Sequence, residues 1–187
     1  MVPRGVTLIE LLVGLALAGI LLGMALPAFH HLLAARRTTA DMNQLAGAIA
    51  TARAEAILRR RTVTLCPGAA GRCGRADSWH AGQLVFLDAD GDGRLDDEDT
   101  VTHALPPLRP GARVYWRAFR ARSYLQFQPR GYTRWQNGSF LYCPPDGAAR
   151  GARMAIVNAQ GRVRMARDAD GDGVVENARG RPVSCPV

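Results

Sequence analysis

Residues Val6–Leu26 form an unbroken apolar run whose single charge is Glu10. About 20 consecutive apolar residues carry a helix across a bilayer, so these 21 residues are predicted to be a membrane span. A secretory signal instead has a basic region, an apolar stretch of about 7–15 residues and a small-residue cleavage site beyond it. The run is too long for that, and it carries an acid where such a signal is purely apolar. The rest of the 187-residue chain does not repeat the pattern: mean hydropathy is −0.08, which excludes a polytopic membrane protein. At 48% hydrophobic and 21% charged, the composition excludes wholesale disorder.

A carboxylate placed in hydrocarbon costs about 2.5–3.5 kcal/mol on insertion scales and needs a partner. Cutting between Gly5 and Val6 would create an α-amino group about one helical turn from Glu10. That amine could pair with Glu10 of its own chain or of a neighbour; the alternative is a plain single-pass anchor that tolerates the acid. The stretch Gly5-Val6-Thr7-Leu8-Ile9-Glu10-Leu11-Leu12-Val13 resembles the class III signal of type IV pilins and pseudopilins. The resemblance implies that a prepilin peptidase cuts after Gly5 and methylates the amine of Val6. It also implies that Glu10 guides assembly by neutralising the terminus of an adjacent subunit. Val6 departs from the family's usual Phe.

Pro27 is expected to kink the helix without ending it, because helical patterning resumes beyond it. Leu32, Leu33, Met42, Leu45, Ile49 and Ile57 fall near one stripe, with Arg36, Arg37, Asp41, Arg53 and Arg59 on the remainder. Glu55 and Arg59 make an i,i+4 pair in the favoured order. A helix from Val6 to about Arg61 would measure ~84 Å at 1.5 Å per residue. That exceeds any globular need, so its first half belongs in a membrane or filament. After Arg61 the chain reads as strands: Thr62–Cys66, Gln83–Leu87, Ala112–Ala118, Tyr124–Gln128, Ser139–Cys143, Arg153–Asn158 and Arg162–Ala166. Gly and Pro punctuate the gaps, and strands without intervening helices predict antiparallel sheets.

This order of leader, long helix and β head resembles the FimT/GspH type of minor pilin along nearly the whole chain. Ala52-Arg53-Ala54-Glu55-Ala56-Ile57, Thr64-Leu65-Cys66-Pro67, Trp79 followed by Gly82–Asp88, and Gly161-Arg162-Val163-Arg164 carry the likeness. The expected architecture is an α+β pilin-like fold, a long N-terminal helix packed on an antiparallel β-rich head. Its parts are a leader (1–5), a membrane or filament-core helix (6–27), an amphipathic helix docked on the head (28–61) and the head itself (62–187). The implied setting is an inner-membrane precursor with a periplasmic head, later assembled into a pilus at the cell surface. The implied partners are other pilin subunits and the prepilin peptidase.

Disulfides persist in the periplasm. The four cysteines allow three pairings. Cys66 and Cys73 flank a Gly-rich turn and are expected partners, and Cys143 with Cys185 would then staple the tail onto the sheet. A zinc site is disfavoured by the absence of a C-x2-C pair and of histidines at ligand spacing.

Residues 88–99 match an EF-hand loop at positions one, three, five and nine (Asp88, Asp90, Asp92, Asp96), with Gly93 at six and Asp99 closing at twelve. Two readings fit: a solvated Asp/Gly hairpin with no cofactor, or a Ca²⁺ site on Asp88, Asp90, Asp92 and Asp99. A second run, Asp168–Glu176, repeats the hexapeptide but has Arg179 where the closing acid belongs. Turn formation explains both runs without a metal.

All 24 cationic residues are Arg; against 16 acids they give +8. Residues 101–187 hold 14 arginines and 5 acids, and residues 109–135 interleave seven arginines with seven aromatics. Such interleaving is the chemistry of a nucleic-acid surface; the alternative is core aromatics with Arg on the opposite strand face. Arg162 and Arg164 at i,i+2 would share a strand face, with Arg167 close behind, and could grip successive phosphates. In FimT-like minor pilins the Gly-Arg-x-Arg motif is associated with non-specific DNA binding during natural transformation. The acidic run Asp168–Asp172 directly after it could mask that charge. A structural, ligand-free subunit of a pilus or of a type II secretion pseudopilus is the alternative. No triad, catalytic dyad or phosphate-binding glycine loop appears, so no enzyme is expected.

Overall fold

One helix, α1 (Leu8–Arg59), runs unbroken through Pro27. It stops where Arg60 turns left-handed, with φ at 53°, a common way to end a helix. The computed structural model describes residues 7–120 and 122–186, apart from the side chains of Pro27, Ala28, His30 and His31. Gly5 and Val6 therefore lie outside the described residues. The chain divides into two compact units, Met1–Arg37 and Thr38–Val187. In the first, every described residue from Thr7 to Leu26 is exposed, and Leu8–Leu26 is apolar enough to cross a membrane.

In the second unit the helix buries one stripe. Thr38, Met42, Leu45, Ile49, Ala52 and Ala56 recur at intervals of three and four and are all at most 5% exposed. Two details differ from expectation. The buried stripe begins only at Thr38, and Ile57 is 42% exposed, its place taken by the small Ala52 and Ala56. Glu55 and Arg59 do pair, at 3.2 Å. A polar cluster ties the helix to the strands beyond it. The Tyr142 hydroxyl donates to Asp41 Oδ2 at 2.8 Å, and Arg109 bonds both Asp41 (3.1 Å) and Thr38 (2.8 Å). Burial, and then the bond to Asp41, push the Tyr142 phenol above its ordinary pKa.

The rest is two antiparallel sheets. The first comprises β1 (Val63–Ala69), β2 (Arg72–Cys73), β3 (Gln83–Leu87), β4 (Thr100–Leu105) and β6 (Leu125–Phe127), with β1 flanked by β3 and β6. The second runs β5 (Arg113–Ala118), β7 (Gly138–Cys143), β8 (Arg153–Val157) and β9 (Val163–Met165) in that spatial order. Helix stripe and both sheets share one core, which includes Val63, Leu65, Trp79, Val114, Phe127, Phe140 and Tyr142. The rings of Trp116 and Phe140 stack at 4.1 Å, and Trp79 meets Phe140 edge-on at 4.7 Å.

A smaller core, with Leu141, Met154, Ala166, Val175 and Val183, joins the second sheet to the C-terminal tail. Both expected disulfides are present. Cys66–Cys73 closes the β1–β2 turn and Cys143–Cys185 fastens the tail.

Candidate functional site

Strands β8 and β9 are joined by a turn that positions the arginines singled out above. Asn158 organises it: its N–H donates to Arg162 O, its Oδ1 accepts from Arg162 N–H, and its carbonyl accepts from Gly161 N–H. Gly161 has φ at +73°, and a Cβ there would stand 2.3 Å from Gly131 O. The turn thus lies against the 128–137 loop, and Thr133 seals the contact by donating its N–H (3.0 Å) and hydroxyl (3.2 Å) to Ala159 O. From α1, Arg53 Nε donates to Gly131 O at 3.0 Å.

Arg162, Arg164 and Arg167 are all exposed, and they border two different concavities. Arg162 opens into a cleft of about 200 Å³ lined also by Arg53, Arg130, Tyr132 and Gln160. Arg164 and Arg167 border a different depression, together with Glu176. Arg164 lies within β9, whereas Arg162 stands one residue before the strand begins and closes the turn through its bonds to Asn158. A third cationic concavity gathers Arg120, Arg122 and Arg134 but includes Asp92.

The aromatics of 109–135 divide. Trp116 and Phe127 are core residues, whereas Phe119 (59%), Tyr132 (50%) and Trp135 (65%) are exposed. In the 128–137 loop, Gly131, Thr133 and Gln136 are buried while Arg130, Tyr132, Arg134 and Trp135 face solvent. A hydrogen bond from Gln126 N–H to Gln136 Oε1 and the Phe127–Thr133 bridge hold that arrangement.

Both acidic runs fold into the same turn. In the first, Asp88 accepts from the N–H of Gly91 and Gly93, Asp90 from Asp92 and Asp92 from Arg94. In the second, Asp168, Asp170 and Asp172 repeat this with Gly171, Gly173, Asp172 and Val174. Carboxylate oxygens of Asp88, Asp90 and Asp92 converge within 4.8 Å, as do those of Asp168, Asp170, Asp172 and Glu176. Asp99 does not join the first group; it accepts from the N–H of Ala89 and Asp96. Burial raises the Asp99 pKa.

The donor sets are all-oxygen, the type Ca²⁺ takes. However, Asp88 is 1% exposed and already accepts at Oδ2 from Thr64 Oγ1 and from Gln126 Nε2 (2.6 Å). Of the two runs, the second is the more complete group, the reverse of the ranking by EF-hand positions. Its closing acid is Glu176, which also accepts from Ala169 N–H, so Arg179 at position twelve is irrelevant. Hydrogen bonds within each run hold both turns.

At the other end of the chain, Thr7 and Glu10 form a reciprocal cap. Glu10 Oε2 accepts from Thr7 N–H and Oγ1, each at 2.9 Å, and Thr7 Oγ1 accepts from Glu10 N–H at 3.3 Å. This is a capping box, and the spacing Thr7-x-x-Glu10 would have revealed it from sequence. Both bonds to the carboxylate fall on one oxygen.

Residues 41–161 match the family model for the type II transport protein GspH, and residues 3–26 match the prokaryotic N-terminal methylation motif. The chain belongs to the GspH family of minor pilins and pseudopilins. It is 32% identical over 175 residues to the pilin-like protein PilA1 of Thermus thermophilus, covering 88% of this chain and 99% of that one. Its fold is that of the type IV minor pilin FimU of Pseudomonas aeruginosa. In one crystal form of FimU the TM-score is 0.59 at 18% identity, over 81% of this chain and 96% of FimU. In a second form it is 0.56, over 79% and 99%. GspH-family pilins are structural and non-enzymatic, and family membership implies other pilins and a prepilin peptidase as partners. The methylation motif and the apolar helix fit an inner-membrane pilin.

Proposed function

We propose that this minor pilin binds DNA without sequence preference for uptake in natural transformation, using Arg162, Arg164 and Arg167. The observation that supports the reading is that all three guanidiniums are exposed on one short stretch of a chain segment with 14 arginines and 5 acids. Such a surface tracks phosphates rather than bases. Assembly into the pilus at the cell surface follows cleavage by the prepilin peptidase after Gly5, methylation at Val6 and release from the inner membrane. Glu10 serves that assembly through its second carboxylate oxygen, which meets the amine of a neighbouring subunit while the first caps its own helix.

The test is titration of the full chain, held in phosphatidylcholine nanodiscs, with labelled duplex of random sequence at several salt concentrations. Binding is expected to weaken with a log–log slope of about −0.9 per neutralised phosphate. Absence of binding at low salt overturns the reading. A second reading is a ligand-free priming subunit of a pilus or type II secretion pseudopilus. What favours it is that the family match ends at residue 161, before Arg162, Arg164 and Arg167.

A further inference from the structure

We propose that Arg53, Arg130 and Arg162 form a seat for a single phosphodiester phosphate, and that this seat, rather than Arg164 and Arg167, is the principal anchor of the nucleic acid. The inference rests on the DNA reading above and adds two residues that no motif supplies. Three arginines from three separate parts of the chain, helix α1, the 128–137 loop and the β8–β9 turn, line one cleft with Tyr132 and Gln160. Among the described residues no carboxylate lines it. Its volume of about 200 Å³ falls below the ~300–1,000 Å³ of small-molecule pockets, which suits one anionic group rather than a whole metabolite.

The cleft is built rather than accidental. Arg53 is fixed by its Nε, which bonds Gly131 O. Among the described residues its Nη1 and Nη2 make no hydrogen bond, which leaves the planar fork for a bidentate phosphate contact. A guanidinium already held loses less freedom on binding. Tyr132, half exposed, and Gln160, exposed, are the other two residues of its lining. Gly161 is what allows the parts to meet. A Cβ there would lie 3.0 Å from Arg53 Nε as well as against Gly131 O. The glycine of Gly-Arg-x-Arg therefore belongs to the seat as much as Arg162 does.

The other two arginines are differently placed. Their depression includes Glu176, whose carboxylate converges with those of Asp168, Asp170 and Asp172. The masking expected of the acidic run thus falls on Arg164 and Arg167 and spares Arg162.

The experiment uses the full chain in phosphatidylcholine nanodiscs and the labelled duplex. Arg53→Gln and Arg130→Gln are each expected to weaken binding about tenfold or more and to reduce the salt slope by about 1. Arg164→Gln and Arg167→Gln remove the same charge and are expected to weaken it less than about threefold. Gly161→Ala keeps every charge and is expected to weaken binding as Arg53→Gln does, a loss that net charge alone would not produce. Arg130 is exposed, so its variant keeps the fold if that of Arg53 does not. Wild-type binding with undiminished Arg130→Gln binding, or equal losses from all four arginines, overturns the seat while leaving the DNA reading intact. No wild-type binding overturns the reading itself. Phosphatidylglycerol vesicles are expected not to displace the duplex; complete displacement would reassign the seat to lipid headgroups.

Discussion

Helix α1 carries two apolar surfaces with opposite fates, one on an almost wholly apolar stretch and one on a single stripe of an amphipathic stretch. From Leu8 to Leu26 its leucines, isoleucines, valine and methionine are each more than half exposed, whereas from Met42 to Ala56 the stripe residues are buried to 2% or less. The second stretch satisfies itself inside its own unit, by packing on two sheets and through the Asp41–Arg109–Tyr142 cluster. The described residues of the first, Thr7–Leu26, are all exposed, and an apolar surface of that extent marks a partner outside the chain. One continuous secondary structure thus carries a stable domain element and an unfinished interface that lipid or other pilins must complete.

The sharpest way to break this contrast is to remove the first stretch. A chain starting at about Ala28 is expected to be soluble without detergent and to melt cooperatively as the full chain's head does, while the full chain aggregates once detergent is withdrawn. An unfolded truncation would show that the apolar stretch is part of the head's stability.

A subtler comparison substitutes one residue on each side. Ile49→Ala should destabilise the head by about 2–5 kcal/mol in chemical denaturation, the cost of a core cavity. Leu15→Ala should change head stability by less than about 0.5 kcal/mol.

A smaller loss than that of Ile49→Ala concerns the polar fastening. Tyr142→Phe deletes the hydroxyl that donates to Asp41 and is expected to cost about 1–3 kcal/mol. It should also change the alkaline limb of stability. The folded state raises the Tyr142 pKa, so the phenol's contribution is complete below the ordinary value of about 10 and is lost as pH climbs through the raised folded value. Wild-type melting temperature should therefore fall above about pH 10, and that of Tyr142→Phe should fall less steeply.

Much of this architecture is legible in the sequence because its signals are local. A 21-residue apolar run, a stripe at intervals of three and four, and β-branched segments bounded by Gly and Pro each declare themselves within a few residues. Seven strands lie near the bounds that their residue patterns predict. β2 and β4 do not announce themselves, since β2 has two residues and β4 is a mostly exposed strand behind an acidic run. Both disulfides follow from one short spacing. The candidate site is only half legible. Arg162 belongs to a motif, but Arg53 reaches it through Gly131, 78 residues away in sequence. Likewise, alternation could not say that Trp135 faces water when its backbone adopts φ of 60°.

The Cys143–Cys185 clasp encloses the whole stretch that carries Arg162, Arg164 and Arg167. Any load on those side chains would therefore enter a ring closed covalently at β7. The ring can deform, but its ends cannot peel away from the sheet one hydrogen bond at a time. The clasp lets this part of the protein bear a load as a unit.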